Sequence, residues 1–222
     1  MSAPDFTARP QLAEDVARLI RRRIFDGTYP AGKYIRLEQL AAELGISVTP
    51  VREALFGLRT EGLLTQQPRR GFLVLPVTRR DIDDVAGVQA HIGGQLAARA
   101  AGQITDEQLL ELDQIQRQLE GAYAQGDHDG AVRFNHAFHR LVNRAAESPK
   151  LAQLMSQITR YALESVYPMA EGWPEQATHD HRRILAALEE HDGEVARAAM
   201  AEHLCAASKP LTDHLERLGV IQ

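Results

Sequence analysis

Apolar residues recur at helical spacing along most of the chain, and one short stretch near the front departs from that pattern. Leu12, Val16, Leu19, Ile20 and Ile24 predict a helix over about 11–26, ended by Gly27. Leu37, Leu40, Ala41 and Leu44 predict a shorter one over 37–44, ended by Gly45, since glycine accepts the left-handed conformation of a helix C-terminus. Val51, Ala54, Leu55 and Leu58 mark a third, with Ser47 or Thr49 as its cap and Pro50 in its first turn. Two extended runs follow, Leu63–Gln66 and Phe72–Leu75, around the basic turn Gln67-Pro68-Arg69-Arg70-Gly71. Beyond Pro76-Val77-Thr78 the period is helical to the end, with helices expected at about 80–101, 105–125, 128–146, 149–169, 175–191, 193–207 and 210–218. The fold class is therefore mainly α: a winged helix-turn-helix of three helices plus a β-hairpin, then an all-α bundle of six to seven helices.

The two short helices and the hairpin suggest chemistry. The third helix presents Ser47, Thr49 and Arg52 at its start, residue types that reach base edges and phosphates when a helix enters a major groove. Arg36 precedes the second helix. Helix, glycine turn, helix also occurs in ordinary bundles. The cationic hairpin tip directly after it favours DNA, with Arg69, Arg70 and Gly71 laid on phosphates or in the minor groove. Arg21-Arg22-Arg23 in the first helix are either further phosphate contacts or a solvated basic face.

Net charge is −5, which by itself argues against nucleic acid. Residues 1–76 carry 11 Lys+Arg against 8 Asp+Glu, net +3, and the remainder carries 14 against 22, net −8. A basic front and an acidic back fit a DNA-reading domain joined to one that does not touch DNA. A single cysteine, Cys205, excludes an intrachain disulfide, and no apolar run approaches the ~20 residues of a membrane span. The expected location is cytoplasmic. The expected domains are a disordered lead over 1–9, DNA binding over 10–76, a linker over 77–80 and a helical domain over 81–222.

Asn135 and His139 are four apart and share one helix face, while His181 and His203 lie on two later helices. Three imidazoles and a side-chain oxygen form a candidate site for a divalent metal such as Zn, Ni or Mn. The competing reading is a layer of histidines hydrogen-bonded across the bundle. A metal-dependent enzyme with an accessory winged helix is the alternative function. No HExxH, nucleophile elbow or phosphate loop supports it, although His179 and Asp180 flank His181.

Pro30-Ala31-Gly32, LEQLAAELGIS, TPVREAL, LRTEGLL and RRGFLV resemble the winged-helix domain of the GntR family of bacterial transcriptional regulators. Phe134-Asn135-His136-Ala137-Phe138-His139, Asp180-His181-Arg182-Arg183-Ile184 and Ala198 through His203 resemble the FCD effector domain of one GntR subgroup. The resemblance implies a DNA-binding regulator, by default a repressor, acting as a homodimer on double-stranded operator DNA and released by a small-molecule effector. It implies Asn135, His139, His181 and His203 as the metal ligands. Three departures stand out. Val48 replaces an arginine common in the recognition helix, and Asn135 replaces the usual aspartate. The Arg and Glu that often face a carboxylate effector are also missing, their positions being Gly87 and Ala90. Arg133, Arg140 and Tyr161 are the substitute pocket candidates, with Arg160 a further cation. Tyr161, Tyr167 and Trp173 either line the pocket or pack the core.

Overall fold

The computed structural model describes residues 9–161, 167 and 170–221, so most of the expected lead lies outside the described residues. The chain divides into two compact units, Met1–Arg79 with Leu215–Gln222, and Arg80–His214. The sequence reading placed 81–222 in one domain. The last residues instead belong with the first unit, where Leu215 and Ile221 are buried and Glu216 pairs with Arg79.

In the first unit, α1 (Arg9–Phe25) buries Val16, Ala17, Ile20, Ile24 and Phe25. The expected stripe is shifted: Leu12 is exposed and Leu19 only half-buried. The helix-turn-helix follows as α2 (Leu37–Leu44) and α3 (Val48–Thr60), with Gly45 between them at φ 66°. Ser47 occupies the cap position of α3 in extended conformation, but its side chain makes no cap hydrogen bond. Val51, Leu55 and Leu58 are fully buried beneath α3. Arg52, Glu53 and Arg59 stay on its exposed face.

The hairpin is β2 (Leu64–Gln67) and β3 (Gly71–Val74), antiparallel with Gln67 opposite Gly71. A two-residue strand that the sequence did not signal, β1 (Tyr34–Ile35), pairs with β3 on its other side and makes the sheet order β1-β3-β2. Phe72 and Val74 point inward, and the Phe72 ring meets Phe56 edge-on at 5.5 Å. Gly71 is required here: its φ is 101°, and a Cβ would collide with the Ile35 carbonyl oxygen. Arg21, read as an exposed cation, is instead buried and forks onto Glu61, with Nε to Oε2 at 3.0 Å and Nη2 to Oε1 at 2.8 Å. Arg23 donates to the Tyr29 hydroxyl and pairs with Glu43. Of the three arginines, Arg22 remains the exposed one.

The second unit is built from α4 (Arg79–Ala101), α5 (Asp106–Gln125), α6 (His128–Ala145), α7 (Pro149–Ile158), α8 (Trp173–Glu189), α9 (Gly193–Ala206) and the start of α10 (Ser208–Arg217). Polar side chains set its helix starts. Thr105 and Gln108 form a capping box on α5, Asp127 accepts from the Gly130 N–H on α6, and Asp192 accepts from two amides of α9. The helix expected over 149–169 ends as an α-helix at Ile158. Thr159 directs both its N–H and its hydroxyl to the Met155 carbonyl, and the chain tightens into a 3-10 turn over Thr159–Tyr161. Helix α5 packs on α6 and α8, and α8 packs on α9, around Leu96, Leu112, Phe138, Leu141, Ile184 and Leu188. Gly94 lets α4 approach α9: a Cβ there would stand 3.0 Å from the Arg197 carbonyl oxygen.

Candidate functional site

Two groups of residues carry chemistry, one in each unit. In the first, Arg36, Ser47, Thr49, Arg52, Arg69 and Arg70 are all exposed, so none is consumed by the core. Ser47, Thr49 and Arg52 sit at or within the first turns of α3, where backbone amides and the helix dipole favour a phosphate. Arg69 and Arg70 form the hairpin tip. Arg69 takes the left-handed conformation at φ 63°, and the tip closes through the Arg70 N–H donating to the Gln67 carbonyl at 3.1 Å. Gly71 fixes where that tip leaves the sheet, and its contribution is backbone shape rather than charge.

In the second unit, α6, α8 and α9 each deliver one imidazole to a common point. Ligand-capable atoms of His139, His181 and His203 all lie within 4.8 Å of one another. His181 and His203 are fully buried and His139 is half-buried. The Nε2 atoms of His181 and His203 face each other at 3.2 Å. Their Nδ1 atoms point away, His181 to the Gln116 side-chain oxygen at 2.9 Å and His203 to an Asp180 carboxylate oxygen at 3.4 Å. A carboxylate or amide oxygen only accepts, so each Nδ1 is placed to donate, an arrangement that in a neutral imidazole leaves the lone pair on Nε2. Two lone pairs at that distance repel unless a cation lies between them. A tetrahedral metal with imidazole bonds of about 2.0–2.1 Å would set two nitrogens about 3.3 Å apart, close to the observed spacing. The donor set therefore fits a divalent metal.

Aromatic rings wall the cluster. Phe138 stacks flat on His181 at 4.1 Å and 8°, and Trp173 stacks on His203 at 5.6 Å and 29°. Burial pushes His139 and His181 well below the ordinary imidazole range, and the neighbouring imidazoles push them further in the same direction. Neutral imidazoles are the form that binds metal.

Asn135 lies one turn before His139 on α6 and is half-buried. Arg133 and Arg140 are exposed on the same helix, Arg133 with its guanidinium 5.1 Å from the Phe134 ring. The side chain of Tyr161 lies outside the described residues. Gly87 is exposed with open space beyond it, while Ala90 is buried, so these two positions face different surroundings. Tyr167 packs against Trp173 at 5.3 Å. Two members of the site were missed by sequence reasoning. Gln116 is fully buried on the Leu112–Leu119 face of α5, and a polar residue within an apolar helical stripe was the available signal. Asp180, considered only as a catalytic base, instead orients His203.

An exposed recognition helix with a basic wing, in a chain that also holds a histidine-centred helical unit, defines a DNA-binding transcriptional regulator. Residues 12–74 match the bacterial regulatory proteins of the gntR family, and residues 84–206 match the FCD domain. The chain belongs to the GntR family, in the group that carries an FCD domain. It is 30% identical over 210 residues to the probable D-xylose utilization operon transcriptional repressor of Paenarthrobacter nicotinovorans, covering 93% of this chain and 91% of that one. It is 26% identical over 190 residues to the HTH-type transcriptional regulator McbR of Escherichia coli K12, covering 82% and 85%. The solved structure of E. coli McbR/YncC superposes with a TM-score of 0.70 at 26% identity, covering 91% of this chain and 97% of that one. These families and relatives are regulators, which sets aside the enzyme reading. Among the described residues no helix is long and apolar enough to cross a membrane.

Proposed function

We propose that the protein is a ligand-responsive repressor. Residues 10–76 grip operator DNA, and the helical unit that begins near residue 81 holds a divalent metal and a small-molecule effector. His139, His181 and His203 supply three nitrogens and Asn135 a neutral oxygen, which leaves coordination positions for the effector. Because the usual aspartate is an amide here, the protein ligands bring no charge to offset the dication. An anionic effector suits that site even without an arginine at Gly87. The repressor sign is supported by the name of the Paenarthrobacter relative.

Ser47, Thr49 and Arg52 contact bases or phosphates, Arg36 a phosphate, and Arg69, Arg70 and Gly71 the wing's groove. One short helix reads too few base pairs for useful specificity, so the active form is a homodimer on two half-sites. Effector and operator affinities are then reciprocally linked.

The observation that carries the sensing half is the convergence of three imidazoles, with the Nε2 atoms of His181 and His203 facing each other at 3.2 Å. Two titrations test the proposal. Zinc chloride added to chelator-treated protein should bind saturably, one ion per chain. A labelled duplex from the region upstream of the protein's own coding sequence should be retained at low salt. Absence of zinc uptake would remove the sensing half, and absence of duplex retention would remove the DNA-binding half.

A further inference from the structure

The carboxamide of Gln116 sits between an imidazole and a carboxylate. Its Oε1 is 2.9 Å from His181 Nδ1, and its Nε2 donates to Glu120 Oε1 at 3.0 Å. The shape of an amide does not say which end is oxygen; the partners do. Glu120 is an acceptor, so the amide nitrogen must face it and the oxygen must face His181. Glu120 is itself fixed. Arg182 forks onto it, with Nε to Oε1 at 2.7 Å and Nη2 to Oε2 at 2.8 Å, and places its third donor on Asp113 at 2.7 Å. Donation thus converges on Glu120: Arg182 donates to it from one side, and from the other the His181 Nδ1–H donates to Gln116, whose amide N–H donates to Glu120.

We propose that Gln116 is a positioning residue of the histidine centre: oriented by Glu120 and Arg182, it holds His181 as the Nδ1–H tautomer and so aims the Nε2 lone pair at His139 and His203. The consequence for metal rests on the reading given above; the tautomer itself does not. An amide in this place keeps the imidazole neutral and oriented without adding a buried charge beside it. If the amide were reversed, its N–H would oppose the Nδ1 proton. The ring would then answer with the other tautomer, which puts a proton where the metal must bind. Arg182 therefore acts on the centre without touching it.

The test uses full-length, metal-free protein with nitrogen-15-labelled histidine. In the wild type, His181 Nδ1 should give the shift of a protonated ring nitrogen and Nε2 that of an unprotonated one. Gln116→Met keeps the volume and removes the acceptor. It should mix the tautomers of His181 and weaken zinc binding by about 10–100-fold. Glu120→Gln leaves both Gln116 and His181 in place and lets the amide reverse. It should move the same two readouts in the same direction, and it carries the test alone should Gln116→Met fail to fold. A residue that merely filled space would change thermal stability and leave the tautomer alone. The proposal is overturned if wild-type His181 carries its proton on Nε2, or if both folded variants keep the wild-type tautomer and zinc affinity. Wild-type protein with the expected tautomer that takes up no zinc would overturn the metal reading while supporting the role of Gln116.

Discussion

The Trp173 indole stacks on the His203 imidazole, with ring centroids 5.6 Å apart and planes inclined by 29°. Trp173 is the only tryptophan in the chain, so its emission reports on the histidine centre without any label. Nickel or cobalt added to chelator-treated protein is expected to quench that emission and to saturate at one ion per chain. In His203→Ala the titration should be flat. Equal quenching in wild type and variant would mean that the ions bind elsewhere.

Arg52 lies on the exposed face of α3, whose opposite face is fully buried through Val51, Leu55 and Leu58. Its replacement by alanine should leave folding intact and weaken operator binding by about 1–3 kcal/mol if it reads a base. Fluorescence anisotropy at fixed salt measures this. The two wing arginines predict a different signature. Arg69→Ala or Arg70→Ala should weaken all duplexes alike and reduce the slope of log affinity against log salt by about 1 each. Unchanged slopes would place the wing off the DNA.

Gly71 combines a φ of 101° with a β1 backbone that leaves no room for a Cβ. Gly71→Ala should therefore destabilise the first unit by about 1–3 kcal/mol. Chemical denaturation followed by circular dichroism would show it. A stability equal to wild type would mean that β1 moves aside at no cost.

Arg182 governs the acid response of the second unit. Its hydrogen bonds hold Asp113 and Glu120 below their ordinary carboxylate ranges. A depressed folded-state pKa gives stability that is present above the unfolded value, near 4 for both groups, and is lost as pH falls through the folded value. Arg182→Met removes the largest cause of the depression, leaving the smaller contributions of Arg117 at Asp113 and Gln116 at Glu120. The variant should be less stable than wild type by about 1 kcal/mol at neutral pH, since the carboxylates are partly exposed. The gap should close as pH falls below about 4. A gap independent of pH would indicate lost packing instead.

Much of this was legible in the sequence because it depends on local signals. Gly45 at the turn of the helix-turn-helix and the basic tip Arg69-Arg70-Gly71 act within a few residues of themselves. Helical periodicity also put His139, His181 and His203 on separate helices, and the fold brings them together. What escaped depends on partners distant in the chain. Strand β1 exists only because β3 lies beside it. Arg21 looked like one of three surface cations, and Glu61, 40 residues away, makes it a buried one. Gln116 reaches His181 across 65 residues, a separation at which periodicity carries no information.

His139, His181 and His203 are expected to hold one metal ion in the helical unit. Elemental analysis of protein purified without chelator tests this most directly. The expected result is about one divalent ion per chain in the wild type, with that ion lost in both His181→Ala and His203→Ala. Wild-type protein that carries no metal and takes none up on incubation with zinc, nickel or manganese would contradict it, as would an undiminished ratio in the two variants.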